Sequence, residues 1–278
     1  MATIGVYDSG VGGLSVYREI VKLLPGERYI YFADNAYCPY GDKSENLILE
    51  RAREITDWML YKGADIMVIA CNTATAAAIA TLRAEYSEDN DRVRELTRGR
   101  LGRIKFIGME PAIKPAVLGT SAGVVGILAT ASTLSASKYL NNKSLYEGAA
   151  RITERVGRGF VELVEKGCLS GPEAEATVRE SLAPLLDEGA DTVVLGCTHY
   201  PFLLETIRKV AASVAPGREI SFIDPAPAVA RQLVSVMRQE GLLPPDSDKP
   251  ARVSTDRPDI LLKASGDDSA LRRTFSLL

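Results

Sequence analysis

The sequence predicts an α/β protein of two similar domains, each built on a mostly parallel sheet. Three observations carry that expectation. Short β-rich apolar runs alternate with helical patterns along the chain, which implies βαβ units. The runs are apolar enough for strands covered on both faces, as parallel sheets require. Blocks of the first half also recur in the second, the signature of a duplicated unit.

In order, the strand-like runs are residues 4–7, 29–33, 66–70, 104–109, 123–129, 192–196 and 220–224. Amphipathic stretches such as 15–24, 47–63 and 205–215 supply the helices between them. Residues 66–82 carry no charge but include Asn72, Thr73, Thr75 and Thr81. They are too short and polar to span a bilayer, which takes ~20 apolar residues, and read as a buried strand followed by a helix. From Glu85 to Arg103 charges crowd together without apolar periodicity, including Glu88, Asp91, Arg94 and Arg100. This predicts a solvated connection between domains, an exposed helix end being the competing reading. Pro244, Pro245, Pro250 and Pro258 mark a surface extension before the amphipathic stretch 260–278.

The repeat has three blocks. Gly63-Ala-Asp-Ile-Met-Val-Ile-Ala-Cys71 matches Gly189-Ala-Asp-Thr-Val-Val-Leu-Gly-Cys197 at an offset of 126. Upstream, residues 5–8 correspond to 126–129 at an offset of 121, and downstream Phe106-Ile107 with Pro111-Ala112 correspond to Phe222-Ile223 with Pro227-Ala228 at 116. Each half therefore ends a central strand in a cysteine.

Composition narrows the function. The 278 residues are 46% hydrophobic and 25% charged, and 33 basic against 36 acidic side chains give a net charge of −3. Such a chain is an ordinary globular protein, with no overall charge to recruit nucleic acid or an anionic membrane, so a small ligand is expected. Cys38, Cys71, Cys168 and Cys197 form no CxxC pair and suit free thiols in a reducing compartment. The N-terminus lacks the basic and apolar regions of a signal peptide; a cytoplasmic location is expected.

In open α/β sheets ligands bind beyond the carboxyl ends of the strands, where Cys71 and Cys197 fall. Each is followed by hydroxyl or amide groups and the N–H groups of a helix start, a setting that favours thiolate. The competing reading is a buried cysteine acting as a small hydrophobe, which is preferred for Cys38 and Cys168. His199 is the single histidine and stands two residues from Cys197, where it can serve as an acid/base helper. One histidine and scattered cysteines do not make a zinc set, so no metal is expected. Asp8 opens the turn Ser9-Gly10-Val11-Gly12-Gly13-Leu14-Ser15. Ser15 replaces the third glycine of a dinucleotide motif, and no nucleotide cofactor is expected. The turn presents Asp8, Ser9 and backbone N–H groups to a small anion, or Asp8 simply caps the next helix. If the halves pack about a pseudo-twofold axis, two thiols approach one substrate from opposite sides of a cleft, which suits inversion of a stereocentre by paired proton transfer.

At these residues the chain resembles the glutamate racemases of the cofactor-independent aspartate/glutamate racemase superfamily. The resemblance rests on Asp8-Ser9-Gly-x-Gly-Gly-Leu-Ser, Pro39-Tyr40-Gly41, Ala70-Cys71-Asn72-Thr73-Ala74, Glu110-Pro111, Leu128-Ala129-Thr130-x-x-Thr133 and Gly196-Cys197-Thr198-His199-Tyr200-Pro201. It implies interconversion of L- and D-glutamate for peptidoglycan synthesis, with Cys71 and Cys197 as bases, Asp8 assisting Cys71 and His199 assisting Cys197. It further implies Glu165 as a second acid near Cys197, although Val156, Gly157 and Glu162 depart from the usual pattern there. Substrate would be held by Ser9, Pro39, Tyr40, Gly41, Asn72, Thr73, Thr130, Thr133 and Thr198, without a cofactor or metal, in a homodimer. By the same resemblance Cys71 serves D-glutamate and Cys197 L-glutamate. The implied domains are 1–98 with 212–278 and 99–211. An aspartate racemase, a cysteine hydrolase with Cys197 as nucleophile, and a non-catalytic amino-acid-binding module remain as rivals.

Overall fold

The computed structural model of the protein describes residues 1–87, 89–244 and 259–278. It divides into one unit of Met1–Met109, Ala226–Ser276 and Leu278 and a second of Glu110–Pro225 and Leu277. The first unit holds strands β1 (Thr3–Asp8), β2 (Arg28–Ala33), β3 (Ile66–Ile69) and β4 (Phe106–Ile107). The second holds β5 (Val124–Ala129), β6 (Arg151–Val156), β7 (Thr192–Gly196) and β8 (Ser221–Ile223). A last strand, β9 (Ile260–Ala264), joins the first sheet beside β2. The orders are β4-β3-β1-β2-β9 and β6-β5-β7-β8, and every ladder among the described residues is parallel.

The sequence repeat persists in the hydrogen-bond register. Gly5 pairs with Met67 and, at the repeat offsets, Gly126 pairs with Val193. Val68 pairs with Ile107 as Val194 pairs with Ile223. The entry to each central strand is duplicated too. Helices Glu45–Tyr61 and Pro172–Asp187 are followed by Gly63 and Gly189, at φ of 100° and 98°, left-handed positions that a glycine takes without strain. Their successors close alike: Ala64 N–H donates to Met59 O at 3.0 Å and Ala190 N–H to Leu185 O at 3.1 Å. Strands β1, β3 and β7 are buried along their whole length, and β5 from its second residue, so the residues that follow them leave the sheet from fixed positions.

The structure differs from expectation at three places. The charged stretch 85–103 belongs to the first unit rather than connecting two. Its helix Asp91–Leu96 buries Val93, and its arginines pair with acids of that same unit, Arg92 with Asp57, Arg94 with Asp89 at 2.6 Å and Arg100 with Asp65. The chain therefore crosses at 109–110 and returns at 225–226 instead of near Arg98 and Ala211, because β4 must pair with β3 and β8 with β7. Strands β6 and β9 escaped the sequence reading. Both are sheet edges carrying charge, as RITERV and ILLKA, and a half-exposed edge does not read as a continuous apolar run. Residues 66–82 form β3 and most of helix Asn72–Glu85, and no helix among the described residues is long and apolar enough to cross a membrane. Glu88, Pro245, Pro250 and Pro258 lie outside the described residues.

Packing at the end of β7 makes a test. A Cβ on Gly196 would stand 2.9 Å from both the Leu128 carbonyl oxygen and the Ala129 Cβ, backbone-borne atoms that cannot swing aside. Gly196→Ala is expected to lower the unfolding free energy by about 1–3 kcal/mol, measured by urea denaturation. Gly26→Ala, where nothing lies within 4 Å of the added atom, should change it by less than about 0.5 kcal/mol. Equal midpoints for the two variants would contradict this packing account.

Candidate active site

In the first unit three consecutive neighbours in the sheet end in polar residues. Asp8 ends β1, Asp34 follows β2 and Cys71 follows β3. Asp8 is fully buried, and its Oδ2 accepts the N–H of Gly10 at 3.4 Å and of Gly13 at 2.8 Å. The carboxylate thus shapes the turn that ends at Gly13, the residue before helix Leu14–Leu23. Cys71 is 5% exposed and caps helix Asn72–Glu85, its Sγ accepting Ala74 N–H at 3.4 Å. The helix dipole at that end favours the thiolate. Ser9 Oγ stands 3.8 Å from the same sulfur. Asn72, at the first turn, is 5% exposed, yet neither its amide nitrogen nor its oxygen has a hydrogen-bond partner among the described residues. Buried polar groups are rarely left so, and this amide has the donor and acceptor to meet a ligand. Thr73 is buried beside it, Tyr40 is buried, and Pro39 and Gly41 are half-buried on either side of Tyr40.

The second unit repeats the plan with different groups. Cys197 follows β7 and is 8% exposed. It leads through the turn Tyr200–Leu203 into helix Leu204–Val214, with Tyr200 N–H donating to Cys197 O at 3.1 Å. His199 has helical backbone angles, φ −73° and ψ −33°, so the turn, not an extended strand, brings its ring back over Cys197. Its Nδ1 lies 3.8 Å from Cys197 Sγ and its Nε2 2.8 Å from Glu165 Oε1. Burial works against the imidazolium, but hydrogen bonds and charge attraction to Cys197 and Glu165 outweigh it and hold the His199 pKa well above 6.5. Glu165 is positioned by helix Phe160–Lys166. Thr130 Oγ1 accepts Thr133 N–H at 3.3 Å and meets Thr133 Oγ1 at 2.9 Å, starting the helix after β5. Thr198 is buried.

Each unit thus presents one buried thiol at the carboxyl end of a central strand. Among the described residues none of the four cysteines is in a disulfide; Cys38 and Cys168 are half-buried where Cys71 and Cys197 are buried. The sequence pattern of the Asp/Glu/hydantoin racemases matches residues 4–233. The chain belongs to that family. It is a racemase, an isomerase. A glutamate racemase of Pseudomonas aeruginosa (strain UCBPP-PA14) is 43% identical over 242 residues, 87% of this chain and 84% of the relative. One of Roseiflexus sp. (strain RS-1) is 41% identical over 86% of this chain and 81% of its own. The crystal structure of Escherichia coli glutamate racemase in complex with L-glutamate and the activator UDP-MurNAc-Ala superposes with a TM-score of 0.77 at 30% identity, covering 99% of this chain and 93% of that one.

Several residues around the racemase thiols were not singled out from the sequence. Tyr7 is fully buried with a hydroxyl that has no hydrogen-bond partner among the described residues, and burial, then the charges of Cys71, Asp34 and Asp8, push its phenol well above the usual value. Tyr200 donates to Gly157 O at 3.3 Å and is pushed up by burial, then by Cys197 and Glu162. Buried Asp34 forms an ion pair with half-buried Arg51 at 2.8 Å. Asp34 had a signal, an acid just past a strand end like Asp8; Arg51, seventeen positions on in a helix, had none.

Because His199 is the single histidine, its titration reads out without assignment. NMR of the imidazole should give a pKa above 6.5 in the wild type and a lower one in Glu165→Gln. The sign carries to stability. A raised folded pKa contributes stability that is full below about 6.5 and is lost as pH rises through the folded value. A wild-type value at or below 6.5 would contradict the pairing.

Proposed function

We propose that this racemase interconverts L- and D-glutamate by a two-base proton transfer at the α-carbon, with Cys71 and Cys197 as the bases. The observation that carries the reading is the duplicated register, which ends a central strand of each unit in a buried cysteine. The identity of the substrate is supported by the relatives' names and by the L-glutamate bound to the Escherichia coli protein. A single base can remove and return a proton on one face only, so inversion calls for a base on one side and an acid on the other.

From L to D, the Cys197 thiolate takes the α-proton, forming S–H as C–H breaks, and the electron pair stays on the substrate. The Cys71 thiol then delivers its proton to the opposite face and becomes a thiolate. The reverse direction exchanges the roles, and proton exchange with solvent resets the pair. Asp8 assists Cys71. His199, held by Glu165, assists Cys197 by stabilising its thiolate and taking part in the reset. Ser9, Pro39, Tyr40, Gly41, Asn72, Thr73, Thr130, Thr133 and Thr198 hold the substrate through hydroxyl, amide and backbone N–H groups, with the unpartnered Asn72 amide the strongest support. No metal or organic cofactor enters these steps. In the cell the enzyme would work in the cytoplasm as a homodimer, supplying D-glutamate for peptidoglycan.

The test is incubation of purified protein with L-glutamate in deuterated water, without added cofactor, followed by chiral analysis. Deuterated D-glutamate is expected, unaffected by a chelator. Cys71→Ala and Cys197→Ala should each slow it by about 10²–10⁴-fold or more with the fold retained. Exchange of aspartate but not glutamate would transfer the reading to the aspartate racemases, and near wild-type turnover in either variant would sink the two-thiol mechanism.

A further inference from the structure

The end of β2 carries a buried charge that the proton transfer leaves unused. Asp34 is fully buried, and its carboxylate accepts three hydrogen bonds from two residues. Arg51, from helix Glu45–Tyr61, donates Nε to Oδ2 at 3.0 Å and Nη2 to Oδ1 at 2.8 Å. The Tyr40 hydroxyl donates to Oδ2 at 2.5 Å. Arg51 also lies over the Tyr37 ring, 4.4 Å from its centroid. Segment 35–42 is thus held at both of its 3-10 turns, Asn35–Tyr37 and Tyr40–Asp42, by one guanidinium and one carboxylate. Burial first, then the Asp34 charge and hydrogen bond, push the Tyr40 phenol far up, so its proton stays in place as a donor.

The fold itself does not require this cluster, and the duplicated unit shows why. Asp34 N–H donates to Asp8 O at 2.9 Å, and at the corresponding rung Gly157 N–H donates to Ala129 O at 3.1 Å. Counted at the repeat offset of 126, the position of Arg51 is Thr177. The same β-α arrangement is therefore built in the second unit from a glycine and a threonine. An ion pair around a buried carboxylate is also a poor device for stability alone, because apolar residues of similar volume serve as well.

We propose that Arg51 is a positioning residue for substrate binding: through Asp34 and Tyr40 it holds segment 35–42 in the shape that receives glutamate. The inference rests on the reading that Tyr40 and Gly41 bind the substrate. It assigns the cluster to KM, leaving the proton transfer to the thiols.

The experiment measures kcat and KM from both enantiomers for the wild type, Arg51→Met, Arg51→Lys, Tyr40→Phe and Arg51→Met/Asp34→Leu, with melting midpoints. Arg51→Met should raise KM about tenfold or more, with kcat within about threefold, since misplaced binding groups lose ground-state and transition-state contacts together. Arg51→Lys should fall between, because one ammonium cannot span both carboxylate oxygens. Tyr40→Phe should raise KM in the same sense. The double variant leaves no unpaired buried charge, so its midpoint should recover towards wild type while KM stays high. KM restored along with the midpoint, or an unchanged KM in Arg51→Lys and Tyr40→Phe, would overturn the proposal and leave a structural pair. If Arg51→Met does not fold, the other three variants decide alone. A wild type inactive on glutamate would instead overturn the functional reading on which the inference rests, and the inference with it.

Discussion

In a parallel sheet every strand finishes at the same edge, and the loops that follow set out from one line of backbone. That constraint governs the chemistry of both units. Parallel pairing of β1 with β2 and β3, and of β5 with β6 and β7, aligns the strand ends at Asp8, Asp34 and Cys71 in one unit and at Thr130 and Cys197 in the other. The strands before these residues are buried apolar segments, so a polar side chain at the edge cannot drift without dragging a core strand. The strand-end groups are held by packing that has no polar function of its own.

Duplication kept the scaffold and changed the electrostatics. Cys71 caps a 14-residue helix and takes an N–H from Ala74, so its thiolate is favoured by backbone dipoles. At Cys197 the turn Tyr200–Leu203 stands between the thiol and helix Leu204–Val214, and an imidazole backed by a carboxylate stands beside the sulfur. Where Asp8 ends β1, the repeat has Ala129, and where the first unit buries Asp34 the second has Gly157. Two thiols in the same register therefore have different neighbours. That suits a reaction whose two directions begin from mirror-image substrates with different neighbours in the protein.

The legible parts of the sequence were those written in buried strands. Gly63 to Cys71 and Gly189 to Cys197 showed both the repeat and the thiols, because an apolar run ending in a cysteine stands out against any background. The edge strands β6 and β9 did not, since their exposed faces carry Arg151, Glu154, Arg155 and Lys263. The stretch 85–103 misled for a related reason: its arginines look solvated in sequence, and only three-dimensional pairing with Asp57 and Asp65 ties them to the first unit. In the site, a local motif announced His199 beside Cys197, but Arg51 reaches Asp34 from a separate helix, and no spacing rule joins a strand end to a helix face.

The central claim is that each thiol works on one face, with its own partner. Mutant rates alone cannot test it: the equilibrium constant between enantiomers is one, so kcat/KM must fall equally in both directions. Primary isotope effects on kcat/KM with each 2-deuterated enantiomer escape that symmetry. Asp8→Asn should make transfer at Cys71 more rate-limiting, raising the effect with D-glutamate and lowering it with L-glutamate, and His199→Asn should do the reverse. The same direction of shift in both variants would contradict the account.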